Sequence, residues 1–209
     1  MQNFFKKVSV LLAVLVLISC RVKVEPKLTM TQVLSTESSL VPTFVTIETE
    51  TCTEEEKKKY FLGVVASFEG CRRKNDGFVK EWRVDIPLVQ SSDIETLKTT
   101  PIALFRGKNN TLIMFMKRDV MNGLRKELFR NNENNLAMSL KYEIANDTKF
   151  DIVLAVSSAW VNDSIAVGQQ LSVFTVPADN YITITMSDTG VAALLRSGSE
   201  PVSIIPFDK

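Results

Sequence analysis

The sequence predicts an α+β fold, antiparallel and β-rich, with two main helices in the N-terminal half and a small β-sandwich-like C-terminal half. Three observations predict it. Apolar and polar residues alternate at period two over much of the chain, two segments space their apolar residues at helical intervals, and the chain after residue 135 offers short strands separated by turn residues. The polar run Asn131-Asn132-Glu133-Asn134-Asn135 divides the two halves. The expected organisation is therefore a leader over 1–19, an α+β domain with a disulfide over 20–134, and a β-sandwich-like domain over 135–209.

The elements follow in chain order. Val22, Val24, Leu28 and Met30 share one parity while Arg21, Lys23, Glu25 and Lys27 share the other, which is a strand with one wet face. After the polar stretch Ser35 to Ser39, the Thr/Val/Ile-rich run Thr43 to Thr49 should pair back against it. Thr53 with Glu56 three residues on has the form of a capping box, and Glu54/Lys58 and Glu55/Lys59 are spaced i to i+4. With Phe61, Val64, Val65 and Phe68 as its apolar stripe, this segment reads as the first helix. Asn75-Asp76-Gly77 is a turn, and Phe78 to Val89 alternates again, with Phe78, Trp82, Val84 and Ile86 opposite Glu81, Arg83 and Asp85. Ser91 to Thr100 is a polar connection with room for one helical turn. Ile102 to Phe105 and Thr111 to Met116 flank Gly107-Lys108-Asn109-Asn110 as a hairpin. Asp119 caps a second helix to about Phe129, with Met121, Leu124 and Leu128 inward. Beyond it, Leu136 to Ile144, Phe150 to Val156, Leu171 to Val176 and Tyr181 to Met186 read as strands. A short helix from Val191 to Arg196 precedes a last strand, Val202 to Phe207.

The first nineteen residues carry an address. Lys6 and Lys7 precede an apolar run from Val8 to Ile18, interrupted only by Ser9, and charge returns at Arg21 and Lys23. The run is shorter than the roughly twenty residues a transmembrane helix needs, so it has the form of an export signal that is cut off. The residues at the cut, Leu17-Ile18-Ser19-Cys20, resemble the lipobox of bacterial lipoproteins. That resemblance covers the first twenty or so residues and implies that Cys20 becomes the first residue of the mature protein, with a thioether-linked diacylglycerol and an acylated amino group. Two or three acyl chains, at about 0.8 kcal/mol per buried methylene, hold a protein on a bilayer almost permanently. In Gram-negative bacteria the resemblance also implies a sorting rule in which Asp after the cysteine keeps the protein at the inner membrane. Here Arg21 follows, so the expected location is the outer membrane, facing the periplasm.

Cysteine arithmetic agrees. The chain has three cysteines, and with Cys20 assigned to lipid, Cys52 and Cys71 remain as a pair in an oxidising compartment. They would close a loop of about twenty residues, worth roughly 3 kcal/mol in the chain-entropy model. The sequons at Asn109, Asn146 and Asn162 have no expected role in a lipoprotein.

Composition excludes several functions. Without residues 1–19 the chain has 23 basic and 24 acidic residues, a balance with no electrostatic footprint for nucleic acid. The chain contains no histidine, which rules out Ser-His-Asp and Cys-His nucleophiles, imidazole zinc sites and a histidine base. No Gly-rich phosphate loop, CxxC pair or dense acidic calcium loop is present, and no cofactor is expected.

Four features remain as candidates. Arg72-Arg73-Lys74, beside Cys71, is the densest basic cluster and could contact anions such as lipid phosphates, or an acidic partner, although a solvated hairpin end is the plainer reading. Asp188-Thr189-Gly190 matches the aspartic-protease triplet, but no second copy exists to share the proton, and helix capping by Ser187 or Asp188 explains it better. Trp160 could anchor a partner, with a core position the stronger expectation. Asp147, Asp151 and Asp163 are too scattered for a metal site. Taken together, these readings point to a lipid-anchored envelope protein, not an enzyme, with membrane lipid and an envelope protein as partners. Two alternatives accompany this reading. One is a phage- or prophage-encoded lipoprotein that blocks re-infection at an outer-membrane receptor, a class the chain loosely resembles in its lipobox, immediate Val-x-Val strand and stapled N-terminal half. The other is a histidine-free carboxylate enzyme centred on Asp188.

Overall fold

Period-two alternation governs the computed structural model, which describes residues 21–52, 60–61, 64–74, 77–90, 92–107, 111–117, 119, 137–187, 190–191, 199–202 and 205–207. The elements in order are β1 (Arg21–Thr29), α1 (Met30–Leu34), β2 (Ser39–Thr49), β3 (Tyr60–Phe61), β4 (Val64–Lys74), β5 (Gly77–Gln90), α2 (Ile94–Thr99), β6 (Ile102–Arg106), β7 (Leu112–Met116) and β8 (Ala137–Ala145). The chain continues through β9 (Ile152–Val156), β10 (Ala159–Val161), β11 (Ile165–Val167), β12 (Ser172–Val176), β13 (Tyr181–Met186), β14 (Ser199–Val202) and β15 (Ile205–Phe207). Twelve strands make one sheet, ordered β11-β10-β13-β8-β1-β2-β5-β6-β7-β14, with β4 beside β5 and β3 beside β4. A second sheet holds β12, β9 and β15.

β1 sits at the centre, antiparallel to β2 on one edge and parallel to β8 on the other. Its ladder to β8 runs from Arg21↔Ala137 to Thr29↔Ala145 and is interrupted at Glu25 and Pro26, where proline has no amide hydrogen to donate. β5 is the other organising strand. One edge pairs with β2 from Phe78 to Leu88; the opposite edge pairs first with β4, up to Val84, and then with β6 from Leu88. Pro87 lies in the gap between those two partners, where a missing donor costs little.

The fold class expected from the sequence is overturned. The protein is mostly β-sheet, curled into a half-barrel, and its described helices α1 and α2 are one turn or so each. Part of the expected first helix, from Val64 to Phe68, is strand β4. The spacing of Phe61, Val64, Val65 and Phe68 suits a helix, but Val64, Ala66 and Phe68 also alternate, and short apolar runs are ambiguous in this way. Tertiary pairing decides it: β4 lies along β5 with Phe68 directly opposite Trp82, their rings edge to face with centroids 4.9 Å apart. Residues 53–59 of that expected helix, the second expected helix apart from Asp119, and the Val191–Arg196 helix beyond Val191 lie outside the described residues. In the C-terminal half the expected strands are present except the last, since Val202 ends β14 on the large sheet and Ile205–Phe207 is β15 on the small one; and β8, β13, β10 and β11 extend the sheet that contains β1 instead of forming a sandwich of their own.

One apolar cluster fills the concave side. It joins Val22, Val24, Val45, Trp82 and Val84 of the first half to Leu140, Ile144, Leu154, Val156 and Ile184 of the second. The convex face is laced with exposed ion pairs, including Lys23–Glu25 at 2.7 Å and Lys27–Glu143 at 3.5 Å. Two turns explain their own sequences. Asn162 and Asp163 both take positive φ in the β10–β11 hairpin, as a primed turn requires and as Asn and Asp tolerate best after glycine. Thr29 and Gln32 form a reciprocal capping box at the start of α1.

Candidate functional site at the basic rim of the sheet

Backbone register places the sequence candidates. Val22 pairs with Ile47, Ile47 with Lys80, and Lys80 with Cys71, so these four residues form one row across β1, β2, β5 and β4. One residue further out along each strand come Arg21, Glu48, Val79 and Arg72. Thr49, Phe78 and Arg73 follow, and then Gly77 with Lys74. The cluster Arg72-Arg73-Lys74 therefore stands at the end of the sheet where β1 begins. Cys20 itself, the residue before Arg21 in the chain, lies outside the described residues.

The hairpin carrying the cluster is braced from several sides. Cys52, three residues beyond β2, is disulfide-bonded to Cys71 on β4, with Cα atoms 6.3 Å apart. This confirms the expected pairing. The bond ties the chain after β2 to a strand that β5 separates from it. A register shift between Phe68 and Gly70 marks a β-bulge at Glu69, which sets the phase of the residues that follow. Gly77 closes the hairpin under constraint: a Cβ there would lie 2.9 Å from the Thr49 carbonyl oxygen. All three basic side chains are exposed. Lys74 donates to Glu48 at 2.6 Å. Below them Lys80 is buried in the concave face, and desolvation lowers its ammonium pKa from the ordinary lysine range.

The other candidates are distributed over the fold. Trp160 is not a core residue: it is 48% exposed on β10, paired with Ala166 and Thr185, because its parity faces the convex side. Asp188 and Thr189 lie outside the described residues. Next to them, Ser187 Oγ accepts the Gly190 amide at 3.2 Å and the Ser187 carbonyl accepts the Val191 amide at 3.0 Å, the capping geometry expected there. The three scattered aspartates have separate structural partners. Asp147 accepts the Thr31 amide at 2.8 Å; burial raises its pKa, but hydrogen bonds led by those from Thr31 outweigh this and bring it below the usual range. Asp151 accepts the Ala178 amide at 3.2 Å. Asp163 accepts from Lys141 at 2.5 Å, and this bond holds its carboxyl below the usual range against some desolvation. Among the described residues no group of three or more Cys, Asp or Glu could hold a metal ion.

Arg106 and Asn146 are two further polar residues whose burial the sequence does not announce. Arg106, 2% exposed at the end of β6, donates through Nη1 to the Ser35 carbonyl and through Nη2 to the Glu37 carbonyl at 2.5 Å, clamping the α1–β2 loop. Asn146, 1% exposed, donates through Nδ2 to the carbonyls of Phe150 and Val176, both at 2.8 Å. Its Oδ1 accepts from the Thr148 hydroxyl at 2.7 Å. An amide so enclosed is no glycan acceptor, and its sequon is coincidental. The only sequence signal for either residue was a polar side chain beside an alternating strand, which most exposed residues share.

Fold and rim together define a curled β-sheet protein whose charged, disulfide-braced hairpin shares the end of the sheet at which the first strand begins. No helix among the described residues is long and apolar enough to cross a membrane. The chain belongs to the family described as Domain of unknown function (DUF7424), whose model matches residues 22–209. No curated protein and no solved structure matches it.

Proposed function

We propose that this is a lipid-anchored cell-envelope protein with a non-enzymatic binding or structural role at the membrane. The observation that carries the reading is the junction at Cys20. An apolar run with a basic start ends in Leu17-Ile18-Ser19-Cys20, Arg21 already lies in a strand, and the family match begins at residue 22. A processed chain would thus consist of an anchor followed directly by the folded domain. A histidine-free chain without a phosphate loop favours binding or scaffolding over hydrolysis or group transfer. Arg21 after the cysteine favours the outer membrane, with an envelope protein as the partner. The test is intact mass and membrane fractionation of the full chain expressed in a Gram-negative cell, beside Cys20→Ser. Loss of residues 1–19 with a gain of two or three acyl chains, both absent in the serine variant, is the expected result. A mature protein with an unmodified Cys20 thiol would overturn the reading.

A further inference from the structure

We infer that the β4–β5 hairpin tip is a second membrane contact, in which Arg72 and Arg73 bind anionic phospholipid headgroups of the leaflet that holds the anchor. This rests on the proposed acylation of Cys20. Its own support is the register. Arg72 is level with Arg21, Arg73 is one residue further out and Lys74 two, at about 3.4 Å per residue. Three inter-strand steps, about 14 Å along the sheet, separate β1 from β4. With one peptide bond between Arg21 and the lipidated residue, no leash lets the domain stand off, so the end of the sheet bearing these cations is held within a side-chain length or two of the headgroups.

Among the described residues at this end, Arg21, Arg72, Arg73 and Lys74 outnumber Glu48 and the exposed Glu50. Lys74 is engaged by Glu48 at 2.6 Å, whereas neither Arg72 nor Arg73 has an ion-pair partner among the described residues. Residues 53–59 bring three acids and three bases and no net charge. The disulfide at Cys71 and the pairing of β4 with β5 hold the strand that carries Arg72 and Arg73 in place, so binding by these two residues orders little new chain. Because the acyl chains already retain the protein, the contact sets the domain's orientation on the bilayer. A single anchor without it would leave the domain free to swivel.

The experiment separates the tip from the anchor. The mature chain with Cys20→Ser is mixed with vesicles of phosphatidylcholine containing 30% phosphatidylglycerol, or of phosphatidylcholine alone, at low salt, and partition is read by sedimentation. The Arg72→Gln/Arg73→Gln variant is compared, its fold checked by near-ultraviolet circular dichroism. At about a fivefold gain per cation, the two arginines should strengthen partition onto the anionic vesicles by about 25-fold over the variant, with the difference lost in 0.5 M salt. Equal partition of the two proteins, or equal binding to both vesicles, overturns the lipid contact and leaves the arginines to solvent or an acidic protein. The intact mass of Cys20 in the native protein is recorded in parallel. An acylated Cys20 with no arginine effect refutes only the tip contact, whereas an unmodified Cys20 refutes the anchor and removes the basis for the tip.

Discussion

Asn146 offers the sharpest test of how the C-terminal half is held to the sheet. It sits just past β8, and its side chain gathers the Phe150 carbonyl, the Val176 carbonyl at the end of β12 and the Thr148 hydroxyl, while its main chain bonds Asn180 and Asp179. One residue thereby joins three segments around the point where the small sheet meets the large one. Asn146→Ala removes the side-chain bonds and leaves the buried Val176 carbonyl short of a donor, while the Phe150 carbonyl keeps the Thr148 hydroxyl at 2.9 Å. At about 1 kcal/mol net per bond, and about 1–3 kcal/mol for a polar group left buried and unpaired, the loss should be about 2–4 kcal/mol. Asn146→Asp keeps the shape but turns an acceptor toward the two carbonyls. Burial and that repulsion raise the introduced carboxyl's folded pKa above its unfolded value of about 3.9. The native state then holds the proton more tightly than the unfolded chain, so stability falls as pH rises from about 4 toward the folded pKa and levels off above it. Urea unfolding of the mature Cys20→Ser protein and both variants, from pH 3.5 to 7.5, measures this. The aspartate variant should lie close to the alanine variant in acid and below it at neutral pH. A pH-independent cost for the aspartate variant, or losses under 1 kcal/mol for both, would show that the cluster does not join the segments.

The remaining expectations concern the hairpin and the convex face. Replacing both Cys52 and Cys71 with alanine should lower stability by about 3 kcal/mol, read as a reduced urea midpoint, and the unreduced Cys20→Ser protein should show no free thiol when denatured. Asp163→Asn should cost well under 1 kcal/mol, because the Lys141 pair is exposed on the aspartate side. The carboxyl's pKa is depressed in the fold, so its contribution is present above pH of about 4 and disappears as pH falls through the lower folded value. Thermal melts of the two proteins should converge in acid and also in 1 M salt, where screening shortens the reach of the charges.

Alternation made the strands legible. The parity of Val22 to Met30 and of Trp82 to Ile86 is the parity of the concave face, and Tyr181 to Met186 is a strand over the residues expected. Alternation is ambiguous where two periodicities coincide. Val64 to Phe68 satisfies helix and strand alike, and only Trp82, fourteen residues beyond Phe68, decides between them. Alternation is also silent at the edge of β1. A strand with an apolar face states that something must cover it but not which strand lies beside it, and the parallel neighbour β8 begins more than a hundred residues away. Local turn chemistry was more reliable: Gly107 donates its amide to the Thr111 carbonyl at 2.7 Å in the hairpin its sequence announces.

The candidate site shows the same division between local and distant information. The disulfide was readable because counting the cysteines settled it once Cys20 was set aside. The basic cluster was visible as three consecutive charges, but its meaning depends on two intervening strands. Arg21 and Arg72 are fifty-one positions apart in the chain and come to one level only because β1, β2, β5 and β4 run alternately up and down in unbroken register at this end. The bulge at Glu69 matters to this placement. Without the extra residue, Cys71 would stand beside Val79 and Arg72 beside Phe78, and each basic side chain would move to the opposite face of the sheet. Under the proposed acylation of Cys20, an anchor joined directly to the first strand would convert that register into a distance from the bilayer, which a long flexible leash would erase.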